Sequence, residues 1–545
     1  MAEEITRREK LAKIRKMNLN PFPYAFARTH TTKKIKEDFD QLAGRDEVKV
    51  AGRIMTRRDH GKTSFCHIRD GSGDIQIYFR QDILKERYEI LSLLDLGDFI
   101  GVSGEVFKTK TGEITILVKD FSLLAKSLLP LPEKWHGLKD IEKRYRLRYL
   151  DLITNPEAKE VIIKRMEIIN LIRNFLFAKG FVEVETPILQ PIYGGAFAQP
   201  FKTHYSALEQ EMFLRISDEL YLKRLIIGGL EKVFEIGKDF RNEGIDRFHS
   251  PEFTQIEIYE AYKDYKDFMV MTEELFRYLA KELTSDSKIY YLEEKRLEQI
   301  LQPLGVKEAE REEYLNFAWE VTKLLTKGEE GISLLIAKKK EKLSQNVLEE
   351  ILLAIKEMAI DFSLPFQRIS FVPALQEKLG KDPLSLPLGE LIKCAKDLGL
   401  EVGERPTQAK LLDKLFSSLI QPELIQPTFV YDHPRITTPL AKVHRENPEL
   451  VERFEPIVCG MELGNAFSEE NDPIRERERF LELIAQKEEY CVLDEDFLSA
   501  LEYGMPPTAG LGLGIDRIVM LFTASPAIRD VIPFPQLRKK EDDLC

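Results

Sequence analysis

Cysteine is scarce in this chain: there are five in 545 residues, an odd number, widely spaced and without a CxxC pair. They stand at Cys66, Cys394, Cys459, Cys491 and Cys545. This usage argues against a disulfide framework and against a structural zinc site, and it favours reduced thiols in a cytoplasm.

Long apolar runs are also missing. No uninterrupted apolar stretch approaches the ~20 residues of a membrane-spanning helix, so we expect no membrane partner. The N-terminus carries Arg7, Arg8 and Lys10 among polar neighbours and does not show the apolar core of a signal peptide. We therefore expect a cytoplasmic location.

By contrast, the chain is long and rich in charged residues. Apolar residues make up 43% and charged residues 32% of the sequence, which is the profile of a well-packed globular protein. At 545 residues the chain exceeds one hydrophobic core, so we expect more than one domain. The net charge of −12 argues only weakly against a nucleic-acid partner, because contact with phosphates is local.

The first part of the chain predicts a helix followed by a small β-barrel. Residues 6–17 have apolar side chains at helical spacing, and we favour a solvated amphipathic helix over a dedicated RNA contact. Five short alternating runs between 48 and 124, separated by Gly or Asp turns, predict the strands of an OB-fold. We assign residues 1–44 to an extension and 45–128 to the barrel, with a Pro-spaced linker at 128–137.

The remainder, 139–545, predicts a large α+β domain. Residues 157–178 form a strong helical pattern, and FVEVETPIL predicts a strand that ends at Pro187. Residues 286–358 are rich in Lys, Glu and Leu at helical spacing, with β-rich patterning on both sides. We interpret that segment as a helical insertion without chemistry of its own.

A long antiparallel hairpin is predicted at 233–262, where two alternating runs flank a loop. Because positions two apart share a strand face, Arg241 and Glu243 should point together. The second strand should present four side chains on one face: Phe253, Gln255, Glu257 and Tyr259. Such charge is costly unless a ligand or solvent covers the face, so a ligand site and an ordinary surface hairpin are the two alternatives.

A second hairpin is predicted at 453–469. With a turn centred on Val458 and Cys459, Glu455 and Glu462 would lie directly opposite each other. Opposed like charges destabilise a strand pair unless a cation lies between them, and such carboxylates commonly hold Mg²⁺ beside phosphates. Beyond them a polar and aromatic face would suit an ammonium group on an alkyl stem, or else face solvent: Asn465, Phe467 and Glu469.

The run GLGLGIDRIVMLF (510–522) is a weaker signal. Its glycines would let the backbone approach a nucleotide, and Arg517 falls in the first turn of the helix that follows. The Lys-Ser/Thr ending of a Walker loop is missing.

These segments, in this order, resemble the three motifs of class II aminoacyl-tRNA synthetases. GFVEVETPIL resembles the first motif, FRNEG through PEFTQIEIY the second, and GLGLGIDR the third. RISDELYLKR, LGNAFSE, PPTAGLGLGIDR and RDVIPFP look specifically like the lysyl-tRNA synthetases of the bacterial and eukaryotic type. The resemblance covers nearly the whole chain except the insertion. It implies a class II catalytic domain, with an antiparallel sheet flanked by helices, preceded by an OB barrel, in a homodimer formed through the first motif.

The resemblance also implies an activity. Such an enzyme activates L-lysine with ATP to lysyl-adenylate, releases pyrophosphate, and transfers the lysyl group to the 3′ end of tRNA(Lys). ATP is then a co-substrate, Mg²⁺ the metal, and tRNA(Lys) and lysine the partners. No protein nucleophile is needed, so catalysis would consist of positioning and electrostatics.

Carried over by position, the resemblance implies an ATP site. Arg241 would grip the α-phosphate and the lysine carboxylate, while Phe253 and Arg517 would cover the two faces of adenine. Arg241, Glu243 and Arg517 would act in catalysis, and Glu455 and Glu462 would bind Mg²⁺. The full ATP set is Arg241, Glu243, His249, Phe253, Gly514 and Arg517.

The lysine site follows in the same way. Glu219, with the backbone at Gly195 and Ala196, would hold the α-amino group, and Glu469 or Glu257 would pair with the ε-ammonium. The implied set is Gly195, Ala196, Glu219, Glu257, Tyr259, Asn465, Phe467 and Glu469. In the barrel, the positions that match the family's anticodon readers are Arg58, Phe65, Gln76 and Glu113. For Phe65 alone, a place in the barrel core is the alternative.

The chain departs from the family pattern at three positions. Phe248 stands where a cation is usual, although Arg247 is adjacent, Gln199 replaces the usual Arg, and Met461 replaces a common basic residue. These departures lie at positions to which the resemblance assigns contacts with the triphosphate and the acceptor end of the tRNA.

Three rival functions remain at this point. An aspartyl or asparaginyl enzyme would share the layout, but aspartate needs a cationic pocket where this chain offers Glu257 and Glu469. A ligase that adds lysine to a protein side chain would lack the barrel. An inactive RNA-binding paralogue would not need Arg241 or Arg517, and both are present.

Overall fold

The computed structural model describes residues 2–45, 48–132, 140–284, 286–291, 294–326, 328, 331–403, 406–438, 441–485 and 492–538. Cys491, Cys545, the second half of the predicted linker (133–137) and the predicted domain start at 139 lie outside the described residues. The chain divides into two compact units, Met1–Arg144 with Tyr149–Thr154, and Tyr145–Arg148 with Asn155–Cys545.

The first unit is built around a closed five-stranded barrel, which confirms the predicted OB-fold. Its strands are joined in the order β1-β2-β3-β5-β4. Its elements are α1 (Ala2–Lys16), α2 (Thr32–Glu37), α3 (Phe39–Leu42), β1 (Val48–His60), β2 (Thr63–Arg69), β3 (Asp74–Arg80), α4 (Gln81–Leu84), a 3₁₀ helix (Lys85–Leu93), β4 (Phe99–Lys108) and β5 (Ile114–Ala125).

Burial alternates residue by residue along β2 and β3. The inward side chains, such as Ile68, Ile77 and Phe79, are fully buried and form the barrel core. Phe65 lies on the opposite, outer face of β2 and is only half-buried, so the barrel-core alternative for this residue is wrong.

The second unit is α+β and carries a large mixed sheet. The helices α5 (Ile141–Arg146) and α6 (Arg148–Thr154) each contain residues of both units. The elements of the second unit up to the helical segment are α7 (Pro156–Ala178), β6 (Val182–Glu183), β7 (Leu189–Gln190), β8 (Phe201–Tyr205), β9 (Gln210–Leu214), α8 (Glu219–Ile227), β10 (Lys232–Phe240), β11 (Glu252–Ala261), α9 (Tyr265–Leu283) and β12 (Lys288–Ile289).

The helical segment and the strands that follow it complete the unit. These elements are α10 (Glu294–Leu301), α11 (Glu308–Thr326), α12 (Ile332–Lys339), α13 (Gln345–Glu357), β13 (Ile360–Asp361), β14 (Gln367–Ser370), α14 (Phe371–Leu379), α15 (Leu388–Asp397), α16 (Gln408–Leu419), β15 (Thr428–Pro434), β16 (Leu450–Val458), β17 (Met461–Glu462), β18 (Gly464–Ser468), α17 (Pro473–Ala485), α18 (Glu495–Glu502), β19 (Thr508–Gly514), α19 (Ile515–Thr523) and α20 (Ile528–Val531).

The main sheet has the order β14-β15-β16-β18-β19-β11-β10-β6, with β17 paired to β16. Its central strands β16, β18, β19, β11 and β10 are antiparallel. Apolar faces of α7, α9 and α19 pack against the sheet through residues such as Ile172, Phe276 and Met520. The strands therefore have one face covered by helices, and their other face can carry polar groups.

The predicted strand at FVEVETPIL is largely wrong. Only Val182–Glu183 and Leu189–Gln190 are strands. Between them the amide of Thr186 donates to the Glu235 carboxylate at 3.0 Å, and Pro187 has no amide to offer. The strand ladder is therefore interrupted at Thr186, where a side chain accepts the backbone hydrogen bond.

The first predicted hairpin is confirmed as β10 and β11, with a regular antiparallel register that ends at Phe240 opposite Glu252. The prediction that Arg241 and Glu243 share a strand face is wrong, because both residues follow the end of β10 and lie in the loop. The second hairpin is confirmed in outline, but its predicted register is wrong. The turn lies at Cys459 and Gly460, whose φ values of 52° and 70° are those of a tight hairpin turn. Glu462 therefore pairs with Ile457 rather than with Glu455.

The second unit contains two groups of consecutive helices, α10–α13 and α14–α16. The helices α10–α13 have a core of their own, which includes Phe317, Leu348 and Ile351. The helices α14–α16 have no counterpart in our sequence predictions, although Leu411, Leu412 and Leu415 follow the helical period. No helix in the part of the chain that the structure describes is long and apolar enough to cross a membrane.

Candidate active site

A cavity of about 430 Å³ opens on the polar face of the main sheet. Residues of β11, β18 and β19 form its floor, and the loop between β10 and β11 forms part of its rim. The predicted site residues that line it are Gly195, Ala196, Glu219, Arg241, Glu243, His249, Phe253, Glu257, Tyr259, Glu462, Asn465, Phe467, Gly514 and Arg517. Glu455 and Glu469 lie outside the lining.

Arginine and aromatic groups meet at one end of the cavity. The Arg241 guanidinium lies 5.1 Å from the Phe253 ring centroid, and its Nε donates to the Ile216 carbonyl at 3.3 Å. Arg517 donates to the Glu462 carbonyl at 2.7 Å and lies 3.1 Å from Nε2 of His249. This end presents cations beside a flat ring, which suits a nucleotide phosphate and base.

His249 is held between two partners. Its Nδ1 lies 2.7 Å from Oδ2 of Asp246, and Asp246 also accepts from the backbone amide of His249 at 2.8 Å. The contact with Arg517 on the other ring nitrogen completes the bridge. The imidazole is therefore oriented before any ligand arrives.

The other end of the cavity carries buried carboxylates. Glu257 is 6% exposed and bonds to two neutral groups, the Tyr259 hydroxyl at 3.1 Å and the Gln255 amide. Among the described residues it has no Lys, Arg or His within ion-pairing distance. Burial, followed by repulsion from Glu219 and Asp239, raises the pKa of Glu257 to about 8. An arriving cation would meet an uncompensated carboxyl group.

Glycines 510 and 512 make room for these carboxylates. A Cβ on Gly512 would lie 2.5 Å from Oε1 of Glu257, and a Cβ on Gly510 would overlap Oε1 of Glu469. The glycine-rich strand is thus required by the buried acids beside it, in addition to any approach of the backbone to a nucleotide.

Glu469 is paired inside the protein. Its Oε2 forms an ion pair with Lys223, whose ammonium also lies 2.5 Å from Oε1 of Glu219. Lys223 is 1% exposed and lies over the rings of Phe467 and Phe497, 5.6 and 6.0 Å from their centroids. Lys223 is not among the site residues predicted from the sequence, although its spacing of four residues from Glu219 on a helix is a signal that the two side chains meet.

Arg453 is the second residue that sequence analysis misses. It stands two positions before Glu455 on β16, hence on the same strand face. Its Nε donates to Oδ1 of Asn465 at 2.7 Å, and its NH2 lies 2.5 Å from Glu455. It also lines the cavity.

The predicted metal ligands have the chemistry of a cation site. Burial, with repulsion from Glu462 and Asp413, raises the pKa of Glu455 to about 8 against the opposing effect of Arg453. Glu455 and Glu462 thus repel each other although they are not directly opposite. Among the described residues no cluster of three or more ligating side chains is poised for a metal. Two carboxylates suit Mg²⁺ that completes its shell with phosphate oxygens and water.

The structure shows the contacts of the three residues that depart from the family pattern. Phe248 lines the cavity, and the Arg247 guanidinium lies over its ring while donating to the Pro526 carbonyl at 2.5 Å. Gln199 accepts a bond from the Asn242 amide through its backbone carbonyl. Met461 is buried in the main core, where a basic side chain would be costly.

On the barrel, three of the four predicted anticodon residues lie on strands, Arg58 on β1, Phe65 on β2 and Gln76 on β3, and Glu113 directly precedes β5. Phe65 stacks on Tyr78 with 4.2 Å between ring centroids and 13° between planes. Arg58 is its cross-strand neighbour on β1. The Gln76 amide donates to Glu113 at 2.8 Å. Half-exposed rings next to hydrogen-bonding groups form a surface on which a nucleic-acid base can stack.

Comparison with known proteins gives two family matches. The family described as tRNA synthetases class II (D, K and N) matches residues 140–538, and the family described as OB-fold nucleic acid binding domain matches residues 48–124. The lysine–tRNA ligase of Thermoanaerobacter sp. (strain X514) is 47% identical over 543 residues, which cover 98% of this chain and 96% of the relative. The lysine–tRNA ligases of Carboxydothermus hydrogenoformans and Syntrophomonas wolfei are 45% and 44% identical, over 98% of this chain and 98% and 97% of their own lengths.

This chain belongs to the lysine–tRNA ligase family of class II tRNA synthetases. The class II match alone spans three amino-acid types, D, K and N, and the similar full-length relatives narrow them to K. The resemblance stated from the motifs is therefore confirmed, and so is the pairing of an OB-fold with a class II synthetase domain.

Proposed function

We propose that this chain activates L-lysine with ATP, releases pyrophosphate, and transfers the lysyl group from the adenylate to the 3′ end of tRNA(Lys). The observation that carries the proposal is Glu257. A buried carboxyl group without a cationic partner among the described residues lines the cavity, beside the neutral Tyr259 and Gln255. The ε-ammonium of lysine supplies the missing charge.

The rival amino acid aspartate fits this cavity poorly. Its side-chain carboxylate would need a free cation at the acidic end. Lys223 is buried and already bound to Glu219 and Glu469, and Arg453 is bound to Glu455 and Asn465. A second carboxylate placed beside Glu257 would be repelled.

Lysine is held at both ends. Glu219, next to the backbone of Gly195 and Ala196, takes the α-amino group. Tyr259, Asn465 and Phe467 enclose the alkyl stem and its ammonium, with Glu257 and Oε1 of Glu469 as acceptors. The stem then lies along the floor of the sheet, and its carboxylate points to the Arg241 end of the cavity.

ATP occupies the Arg241 end. The adenine lies between Phe253 and Arg517, and Glu243 and His249 orient the base and the triphosphate. The lysine carboxylate oxygen attacks the α-phosphorus, and the bond to pyrophosphate breaks. Negative charge that builds on the α-phosphate oxygens is stabilised by the fixed Arg241 guanidinium.

Glu455 and Glu462 are the residues that would hold Mg²⁺. When bound, the ion neutralises charge on the pyrophosphate leaving group. The residues of the chain do the rest: Arg453 keeps Glu455 in place, and Arg517 bonds to the Glu462 carbonyl.

The barrel reads the tRNA. The stacked pair of Phe65 and Tyr78 offers a platform for an anticodon base, and Arg58, Gln76 and Glu113 offer hydrogen bonds to base edges. A ligase that adds lysine to a protein side chain has no use for this surface, which disfavours that rival.

We also propose a homodimer in the cytoplasm. Large apolar side chains stay exposed on α7 and the segment after it, including Ile163 (56%), Met166 (49%) and Ile188 (45%). A second copy of this surface would bury them. Sedimentation equilibrium tests the dimer, and cell fractionation tests the location.

Amino-acid-dependent ATP–pyrophosphate exchange, run separately with each standard amino acid and Mg²⁺, tests the proposed function. We expect exchange with lysine alone, followed by lysylation of tRNA(Lys). Exchange with aspartate or asparagine would overturn the assignment of Glu257. Absence of exchange with every amino acid would favour the inactive paralogue.

A further inference from the structure

Lys223 lies in the wall of the amino-acid pocket. It stands one turn after Glu219 on α8, and its side chain is buried between that helix and the end of β18. Its ammonium bonds to Oε1 of Glu219 and pairs with Oε2 of Glu469. The cavity is lined by Glu219, whereas Lys223 and Glu469 are not part of its lining. Lys223 therefore acts on a ligand in the cavity only through its two carboxylate partners.

The charges around Lys223 are unbalanced. A third buried carboxyl group, Glu476 of α17, also acts on it electrostatically. The nearby Arg224 is turned away to Asp494, and Arg479 lies beside Glu470. Lys223 thus acts on three buried acids, of which Glu476 is also acted on by Arg479, whereas Glu219 and Glu469 share the Lys223 ammonium. Without it, the carboxylates of Glu219 and Glu469 would repel each other.

The two acids that Lys223 joins belong to opposite ends of the substrate. Glu219 is the acceptor for the α-amino group in the proposed function. Oε1 of Glu469 lies against Gly510 of the cavity floor and has no hydrogen-bond partner in the described part of the chain. Fixing both carboxylates from behind also fixes the spacing between the two sites that receive the amino groups of lysine.

We propose that Lys223 is a positioning residue that sets the placement and charge of the two carboxylates which receive the amino groups of the substrate lysine. The proposal deepens the proposed function and rests on it. Lys223 touches neither substrate nor ATP. Its removal should therefore weaken lysine binding selectively and leave the nucleotide end of the cavity unaffected.

The test is pyrophosphate exchange with the full-length K223A variant. We expect the KM for lysine to rise about tenfold or more, the scale of one lost charge-assisted hydrogen bond, while the KM for ATP stays within about twofold. The truncated side chain leaves room for a small amine, so millimolar propylamine should lower the KM for lysine again. Equal concentrations of 1-propanol, which fills the space without charge, should not.

R224M, on the same helix and adjacent in sequence, is the matched control and should keep the wild-type KM for lysine. An unchanged KM for lysine in K223A would overturn the proposal. So would a parallel rise of both KM values without amine-specific rescue, because that marks general damage. If K223A does not fold, K223M keeps the volume, and its KM for lysine must show the same selective rise. Wild-type protein without lysine-dependent exchange would refute the proposed function before Lys223 is tested.

Discussion

The guanidinium of Arg453 donates to the side-chain oxygen of Asn465 at 2.7 Å while its other arm holds Glu455. One residue thus connects a candidate lysine contact with a candidate metal ligand. Because the planar guanidinium makes both bonds in a fixed geometry, movement at either partner is felt by the other.

We expect R453K to weaken the binding of both lysine and Mg²⁺. Lysine has no second arm, so it keeps at most one of the two contacts, and the lost bond corresponds to roughly a tenfold effect. The KM for lysine and the Mg²⁺ concentration required for half-maximal exchange should both increase. R445K is the control, since Arg445 pairs with Asp264 and Glu452 away from the cavity lining. A change in only one of the two parameters would show that Arg453 does not couple the sites.

The charge of Glu257 gives the most direct prediction for specificity. E257Q keeps the shape and the bonds to Gln255 and Tyr259 but removes the negative charge. A hydrogen bond to a charged group contributes about 1.5–3 kcal/mol, so the KM for lysine should rise roughly 10- to 100-fold at pH 8 with little change for ATP. E252Q on the same strand, outside the cavity lining, should behave as wild type. An unaltered KM for lysine in E257Q would show that the ε-ammonium of lysine does not bind at Glu257.

Proton release should accompany lysine binding. Burial, then repulsion from Glu219 and Asp239, raises the pKa of Glu257 to about 8, so the free protein holds a proton there at pH 7. An ammonium favours the carboxylate and expels that proton, and lysine affinity should therefore rise with pH up to about 8. Calorimetry at pH 7 in two buffers of different ionisation enthalpy measures the release. E257Q should release markedly less, and equal release by both proteins would refute this origin.

The same pKa has a consequence for stability. The folded chain binds the Glu257 proton more tightly than the unfolded chain, whose ordinary value is 4.5. This group therefore destabilises the free protein as the pH rises from about 4.5 to about 8. Saturating lysine should reduce this loss of thermal stability, and E257Q should reduce it without lysine.

Strand periodicity predicts much of this site from sequence because β10 and β11 pair without a bulge. Phe253, Glu257 and Tyr259 line one cavity as the period of two requires. The predicted pairing of Glu455 with Glu462 is wrong, because strand periodicity does not give the position of the turn. That position depends on the backbone conformation of Cys459 and Gly460.

Not all contacts of Lys223 could be predicted from the sequence. Its partner Glu219 is a local neighbour, but Glu469 reaches it only through the packing of α8 against the end of β18. No local pattern encodes such a contact. The fold class and the barrel, by contrast, follow from short alternating runs that each element carries by itself.

The stacked aromatic pair on the barrel separates the two steps of the reaction. F65L removes the ring that stacks on Tyr78, and stacking on one base is worth about 1–3 kcal/mol, so tRNA charging should need roughly 5- to 100-fold more tRNA. Lysine-dependent pyrophosphate exchange should not change, because it needs no tRNA. F99L, on β4 of the same barrel, serves as the control for barrel stability. If F65L charges tRNA with an unchanged KM, Phe65 does not contact the anticodon.

The helices α10–α13 give the last prediction, because they leave and rejoin the second unit at neighbouring points. Ile289 of β12 pairs with Ile360 of β13, and the four helices bury a core of their own. We propose that they form a peripheral subdomain. Replacing residues 294–357 with a short Gly/Ser linker should leave a folded protein that exchanges pyrophosphate and charges tRNA. Tyr291 is retained in this variant, since it packs in the main core.

The helices α14–α16 provide the matched deletion. Their core includes Val430 and Ile457 of the main sheet, so removal of 371–419 exposes the sheet and should prevent folding. Circular dichroism separates the two outcomes, and tRNA affinity is measured by filter binding. Loss of tRNA affinity in the 294–357 variant with intact exchange would mean that α10–α13 contact the tRNA. Loss of folding would mean that their core is continuous with that of the second unit.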